Sequence, residues 1–428
     1  MTPETSTPAP APTPDAMRGL RLLVYDLPLA LMLSGAIDGG GLAAQDSAAR
    51  AFTGASLVDV TGRGAVANAT IVVRDGRIAA IGPAASVAIP AGAERISLDG
   101  RFVIPGLVNT PADLRTYAAY GVTTVVSLGG EGDDVFAARA AQDVAKLDRA
   151  RVYVAGPVLS PGTPDEARAQ VAALAPRRVD WVKIRVDDNL GTARRMAPEV
   201  YRAVIDEAHR RGLRVAAHLY YLADAKGLLD AGADFLAHSV RDTLVDDAFV
   251  SALRASGRCH TPTLMREVST FVYESTPDFF ADPLFQSHAN NDWVTTLRDP
   301  ARQASVRTNA AAQQYKAQLP VATSNAKRLL DAGVPVVMGT DTGPMGRFQG
   351  YFELMELELM VRGGFTPAQA LASATTVAAR CMGLDSELGS LESGKWADFI
   401  VLDADPARDI ANVRRITSVW IAGNRVPR

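Results

Sequence analysis

Between residues 106 and 384 the chain alternates a short apolar run with a stretch of helical periodicity, again and again, and that rhythm leaves few folds open. The runs are VIPGLVN, VTTVVSL, ARVYVAG, DWVKIRV, RVAAHLY, ADFLAHS, RCHTPTL and VPVVMGT. Helical patterns such as PEVYRAVIDEAHRRG and LADAKGLLDAG separate them, each ending in the glycine that favours a helix stop. Eight strands with intervening helices predict an α/β chain built on a closed (β/α)8 TIM-type barrel, whose reactive groups sit at the C-terminal strand ends. The stretch 265–319, rich in aromatic and polar residues, is too long for a plain connection and is expected to fold over the mouth as a substrate-covering insertion.

The flanks read differently. Over residues 51–105 short β-prone runs alternate with turn signals, among them NATIVVRDGRIAAIG with an Asp75-Gly76 hairpin turn. The same style returns over 385–428, in GSLESGKWADFIVLDAD and ITSVWIAGNRV. Two β-rich ends around an α/β middle predict one small β-sandwich domain built from both. Residues 1–50 read as a leader. Five prolines among Thr, Ala and Ser in residues 1–16 give a composition that cannot order itself. Arg18 and Arg21 then precede an apolar stretch from Leu22 to Ile37, and Leu42-Ala43-Ala44 resembles a signal-peptidase site. Export to the periplasm or medium is expected, against the alternative of a disordered extension on a cytoplasmic protein; the run is too short and interrupted to span a bilayer.

A formal charge of −3 with 21% charged residues, and no Lys/Arg block, gives no electrostatic case for nucleic acid or a membrane surface. The expected partner is a small molecule. Cys259 and Cys381 lie far apart without metal-type spacing, so a disulfide framework is not expected.

Four polar residues interrupt the apolar runs in a telling order. Lys183 lies in DWVKIRV, His218 ends RVAAH, His238 ends DFLAH and Asp341 follows VPVVMGT. A single lysine in such a run can snorkel and a single histidine can be a satisfied core residue. Four at successive strand ends make up most of a two-metal hydrolase centre. Apolar flanks lower an amine's pKa, so Lys183 would be a neutral nucleophile able to capture carbon dioxide.

Together with IPGLVNT and the closing GSLESGKWADFIVLDADPARDIANV, these residues resemble the amidohydrolase superfamily of metal-dependent hydrolases, from Phe52 onward. DWVKIRVDDN, HLYYLADAKGLLDAGADFLAHSVRD and REVSTFVYESTPDFF resemble its Xaa-Pro dipeptidase-like branch, which includes amidases that cleave N-acyl amino acids such as ochratoxin A. The resemblance implies zinc, one or two ions, with Lys183 carboxylated and bridging, His218 and His238 on the second metal, and Asp341 both on the first metal and acting as base. It implies a homo-oligomer, and a substrate contact by Tyr220; Arg266 could hold a carboxylate in bidentate fashion, and His260 or His288 could touch substrate. His209, in EAHRRG, reads as exposed on its helix.

One departure stands out: the H-x-H of the first strand should follow VIPGLVNT, where Thr110 runs into Pro111-Ala112-Asp113. The leading expectation is a dipeptide or N-acyl amino acid hydrolase with one metal at Lys183, His218 and His238. The alternatives are a barrel that binds ligand without hydrolysing it, a hydrolase of cyclic amides, and a natural chain with a loop after Thr110 that this sequence lacks.

Overall fold

The computed structural model describes residues 49–109 and 113–427; the leader and the Thr110-Pro111-Ala112 stretch, where the H-x-H was sought, lie outside them. Both flanks contribute to one mixed sheet. Strands β1 (Arg50–Leu57), β2 (Val66–Arg74), β3 (Arg77–Pro83), β4 (Glu94–Ser97) and β5 (Phe102–Pro105) come from the first flank. Barrel-type strands β6 (Leu107–Asn109), β7 (Val122–Val126), β8 (Arg151–Tyr153), β9 (Val158–Leu159), β10 (Trp181–Arg185), β11 (Arg214–His218), β12 (Phe235–Ala237) and β13 (Cys259–Thr261) follow. The second flank returns β14 (Phe399–Leu402), β15 (Ile416–Ile421) and β16 (Asn424–Arg425). The expected sandwich takes the form of a single eight-stranded sheet, β16-β15-β14-β5-β1-β2-β3 with β4 on β1.

Antiparallel pairing of β14 with β5, Ile400 opposite Ile104, joins the flanks. Phe52 packs edge-on against Phe399 with centroids 5.0 Å apart. The predicted hairpin forms between β2 and β3, with Asp75 at φ 53° and Gly76 at φ 78°, the positive pair that a tight two-residue turn requires. Gly106 carries the chain from this sheet into β6 past Thr123, whose Oγ1 would lie 1.9 Å from a side-chain carbon there. Only glycine passes.

The middle forms two parallel sheets, β6-β7-β8 and β9-β10-β11-β12-β13. Backbone bonds run between and beyond them. Val154 O accepts from Asp180 N at 2.8 Å, Val337 N donates to His260 O at 2.8 Å, Met338 N to Ser373 O and Val108 N to Ala374 O, both at 3.0 Å. The last apolar run, VPVVMGT, is held by an isolated bridge of Val336 to His260 and makes no regular strand. Alternation sorts the side chains. Val182, Ile184, Val215, Ala217 and Leu236 join the main core under the helices, while Trp181, Ala216, Phe235, Ala237 and Val337 form a second cluster.

Helix Pro198–Arg210 ends before Gly212 at φ 70°, and helix Leu222–Asp230 before Gly232 at φ 92°, the left-handed stops read in the sequence. Residues 264–308 are largely helical, and one 22-residue helix, Ala310–Asp331, runs through the expected end of the insertion. Among the described residues no helix is long and apolar enough to cross a membrane.

The two cysteines correct the sequence reading. Cys259 at the start of β13 and Cys381 in helix Thr376–Met382 form a disulfide with Cα atoms 6.0 Å apart. The partners meet through tertiary packing across 122 residues, which spacing alone cannot reveal.

Candidate active site

Lys183, His218, His238 and Asp341 all line one cavity of about 310 Å³. Strand register brings the first two together: β10 pairs with β11 so that Arg185 lies opposite His218, and β11 with β12 so that His218 lies opposite Ala237, one residue before His238. The two imidazole centroids are 4.1 Å apart. His238, Thr263 and Asp341 have φ of 74°, 48° and 55°. Such left-handed backbone is uncommon for non-glycine residues and is concentrated at functional sites.

Burial dominates the electrostatics. Lys183 is 5% exposed, and desolvation brings its amine down to about 8, against the attraction of Asp341. Desolvation likewise lowers His218 to about 3 and His238 well below the ordinary histidine value. Both rings are therefore neutral near pH 7, the state that leaves a ring nitrogen lone pair free for a metal.

Several neighbours orient these groups. His238 Nδ1 lies 2.7 Å from Thr263 Oγ1, and donation from Nδ1 to that hydroxyl leaves Nε2 as the acceptor nitrogen. Asp187 Oδ2 lies 2.7 Å from His218 Nε2, a contact that holds the Asp187 carboxylate well below the ordinary range despite its burial and partly offsets the desolvation of the ring. Arg347 Nη1 donates to Asp341 Oδ2 at 2.5 Å and to its main-chain oxygen at 3.1 Å. Thr340 and Thr342, on either side of Asp341, both donate to Glu353 Oε1, at 2.5 and 2.9 Å, and Tyr117 bonds to Thr342. Asp341 thus sits half-exposed on a turn fixed from behind.

His218 and His238 bring two imidazole donors to the cavity. Among the described residues no three His, Cys, Asp or Glu side chains form a metal-holding group, so His218 and His238 need a third donor. Lys183 is placed on the same cavity to supply it, but an amine in that position is cationic over much of the pH range; carboxylation would convert it to an anionic oxygen donor. Asp341, the carboxylate that lines the cavity, is held by Arg347.

Of the other residues singled out in the sequence, Arg266 lines the cavity, and Tyr220, His260 and His288 are not among its lining residues. Tyr220 is buried, its hydroxyl bonded to Gln318 and Gln314 of helix Ala310–Asp331. His260 is buried in β13, lowered to about 4 by desolvation, and the His288 ring packs edge-on against Tyr120 at 5.3 Å. His209 is exposed and meets Asp234 at 2.8 Å. Asp187, Thr263, Arg347 and Glu353 escaped the sequence reading. Asp187 carried a signal, since the two acids of VKIRVDD follow the lysine strand directly.

Residues 108–426 match the amidohydrolase family. The ochratoxinase of Aspergillus niger is 25% identical over 341 residues, 76% of this chain and 61% of that protein; the match thus spans less than two thirds of the relative. An imidazolonepropionase of Streptomyces avermitilis is 25% identical over 422 residues, 85% of this chain and 88% of its own length. Among solved structures, a Bifidobacterium longum protein described as a prolidase is similar with a TM-score of 0.72 and 30% identity, over 90% of this chain and 95% of that one. Such neighbours imply a TIM-type barrel with an extra domain.

Proposed function

The chain belongs to the amidohydrolase family, and from that premise we propose that it hydrolyses an amide or peptide bond in a small substrate, a dipeptide or N-acyl amino acid of the ochratoxin type. The observation that carries this reading is the convergence of Lys183, His218, His238 and Asp341 on one cavity. The barrel reading rests on the backbone bonds that link Val154 to Asp180 and carry Val337, Ser373 and Ala374 round to β6.

Zinc held by His218, His238 and carboxylated Lys183 would supply a polarised water at neutral pH. The protein's own groups do the rest. Asp341, as its carboxylate, accepts a proton at Oδ1 or Oδ2 and delivers it to the departing amine. Arg347 aims that carboxylate, and Thr263 holds the His238 ring in one tautomer. Arg266, 6% exposed and lining the cavity, offers a guanidinium to the carboxylate of the released amino acid. The disulfide between Cys259 and Cys381 and the apolar leader both favour an oxidising, extracytoplasmic location.

Ring-opening of cyclic amides is the second reading, favoured by the imidazolonepropionase match extending over 88% of that relative. The test is release of amine from parallel sets of dipeptides, N-acyl amino acids and cyclic amides, with zinc and bicarbonate supplied. Turnover confined to the open-chain amides is expected. Turnover of cyclic amides alone would reverse the order, and tight binding without any turnover would establish a ligand-binding protein instead.

A further inference from the structure

Two arginines on the cavity wall hold buried hydrogen-bond donors that no group among the described residues satisfies. The Nε atoms of Arg185 and Arg266 are both buried and unpartnered, and both residues line the cavity. Arg151, Arg241 and Arg302 also leave buried nitrogens unpaired, but none of these three lines the cavity. A buried unpaired guanidinium nitrogen is costly and calls for a partner.

The existing contacts engage each guanidinium only in part, leaving its Nε without a partner. Arg185 uses Nη2 alone, toward Asp187 Oδ1 at 3.3 Å and Asn189 Oδ1 at 3.0 Å. Arg266 uses Nη1 toward Glu267 Oε2 at 3.1 Å, hydrogen-bonds the Tyr315 hydroxyl and lies over that ring, 4.6 Å from its centroid. The acids that balance them, Asp187 and Glu267, are not among the lining residues, and the lining carboxylate, Asp341, is taken by Arg347. The face presented to a ligand is therefore cationic.

Their placement is ordered. Arg185 ends β10, two residues beyond Lys183 and on the same strand face. Then come His218 on β11 and His238 after β12. Arg266 follows, in helix Leu264–Phe271 beyond β13. Three strand spacings of about 4.8 Å put the strand positions that carry the two arginines on the order of 14 Å apart, with Lys183 and the imidazoles between them.

We propose that this cavity takes an amide carrying a carboxylate on each side of the scissile bond, the amino-acid carboxylate on Arg266 and a second, acyl-side carboxylate on Arg185. The substrate class is thus an N-acyl amino acid whose acyl group is itself a dicarboxylic acid residue, such as an N-succinyl or N-glutaryl amino acid. This rests on the amide-hydrolase reading for the bond between the two anions, but the anion pair is tested separately from turnover.

The experiment is isothermal titration of the full chain with N-glutaryl-L-alanine and with N-pentanoyl-L-alanine, which has the same carbon chain without the acyl carboxylate. The glutaryl compound is expected to bind roughly tenfold tighter or better, as for one charge-assisted pair. In Arg185→Gln, a change at a partly exposed residue that the fold tolerates, that preference disappears while pentanoyl affinity holds. In Arg266→Lys both compounds weaken together. Equal affinity of the two compounds, absence of binding by either, or a preference that survives Arg185→Gln overturns the proposal. Binding of the glutaryl compound without its hydrolysis sinks the hydrolase reading and leaves the anion pair standing; hydrolysis of both at the same KM does the reverse.

Discussion

Replacing Lys183 with methionine should make the unliganded protein more stable at neutral pH. Lys183 is fully buried between Val182 and Ile184, and desolvation lowers its amine from 10.5 to about 8. At about 1.4 kcal/mol per pH unit, that depression means roughly 3 kcal/mol of native-state stability withheld while the amine is charged. The sign follows from proton binding. Below pH 8 both folded and unfolded chains carry the proton and the penalty is complete; between 8 and the unfolded value the unfolded chain holds more protons, so stability rises with pH. Methionine has a similar length and no charge, and Asp341 is not stranded by the loss because Arg347 holds it. Urea unfolding of wild type and Lys183→Met, with chelator and without bicarbonate, measures both terms. The variant should gain about 2–3 kcal/mol at pH 7 and lose the rise seen in wild type between pH 8 and 10. A destabilised variant at pH 7, or an unchanged pH slope, would refute the idea that this lysine is a buried group retained at a cost in stability.

Other consequences follow from particular contacts. The Cys259–Cys381 link closes a 122-residue separation, so Cys259→Ser/Cys381→Ser should lower unfolding free energy by up to about 5 kcal/mol in the chain-entropy picture; an unchanged denaturation midpoint would mean the bond does not form. Thr263→Val removes the hydroxyl beside His238 Nδ1, and metal affinity read by chelator competition should fall roughly 10- to 100-fold; undiminished affinity would remove Thr263 from the site. Asp341→Asn should keep its metal and lose about two to four orders of magnitude in kcat, and full turnover in that variant would exclude Asp341 as base.

How much of this was legible depended on whether the cause was local. The lysine, histidines and aspartate share a cavity because they lie at or near the C-terminal ends of apolar runs, Lys183 two residues before the end of β10, and parallel strands end together at one face. The Asp75-Gly76 turn and the glycines after two helices were legible for the same reason, since backbone geometry there is set by one or two residues. Partnerships fixed by tertiary packing were not. Cys381 reaches Cys259 only once helix Thr376–Met382 has packed beside β13. Tyr220 follows the expected histidine but is drawn away by Gln314 and Gln318, nearly a hundred residues on. Arg347 is an ordinary loop arginine in the sequence; its meaning comes from the turn at Asp341, which folds it back six residues onto the carboxylate. The eighth apolar run has the composition of a strand, yet it is held by one isolated bridge to β13 and by single backbone bonds.

The most direct test is metal content of the full chain purified without chelator after expression with zinc and bicarbonate, compared with Lys183→Met. About one zinc per chain in the wild type, lost in the variant, is expected if Lys183, His218 and His238 hold the ion together. No metal in the wild type, or the same content in Lys183→Met, would contradict the lysine-dependent one-ion centre.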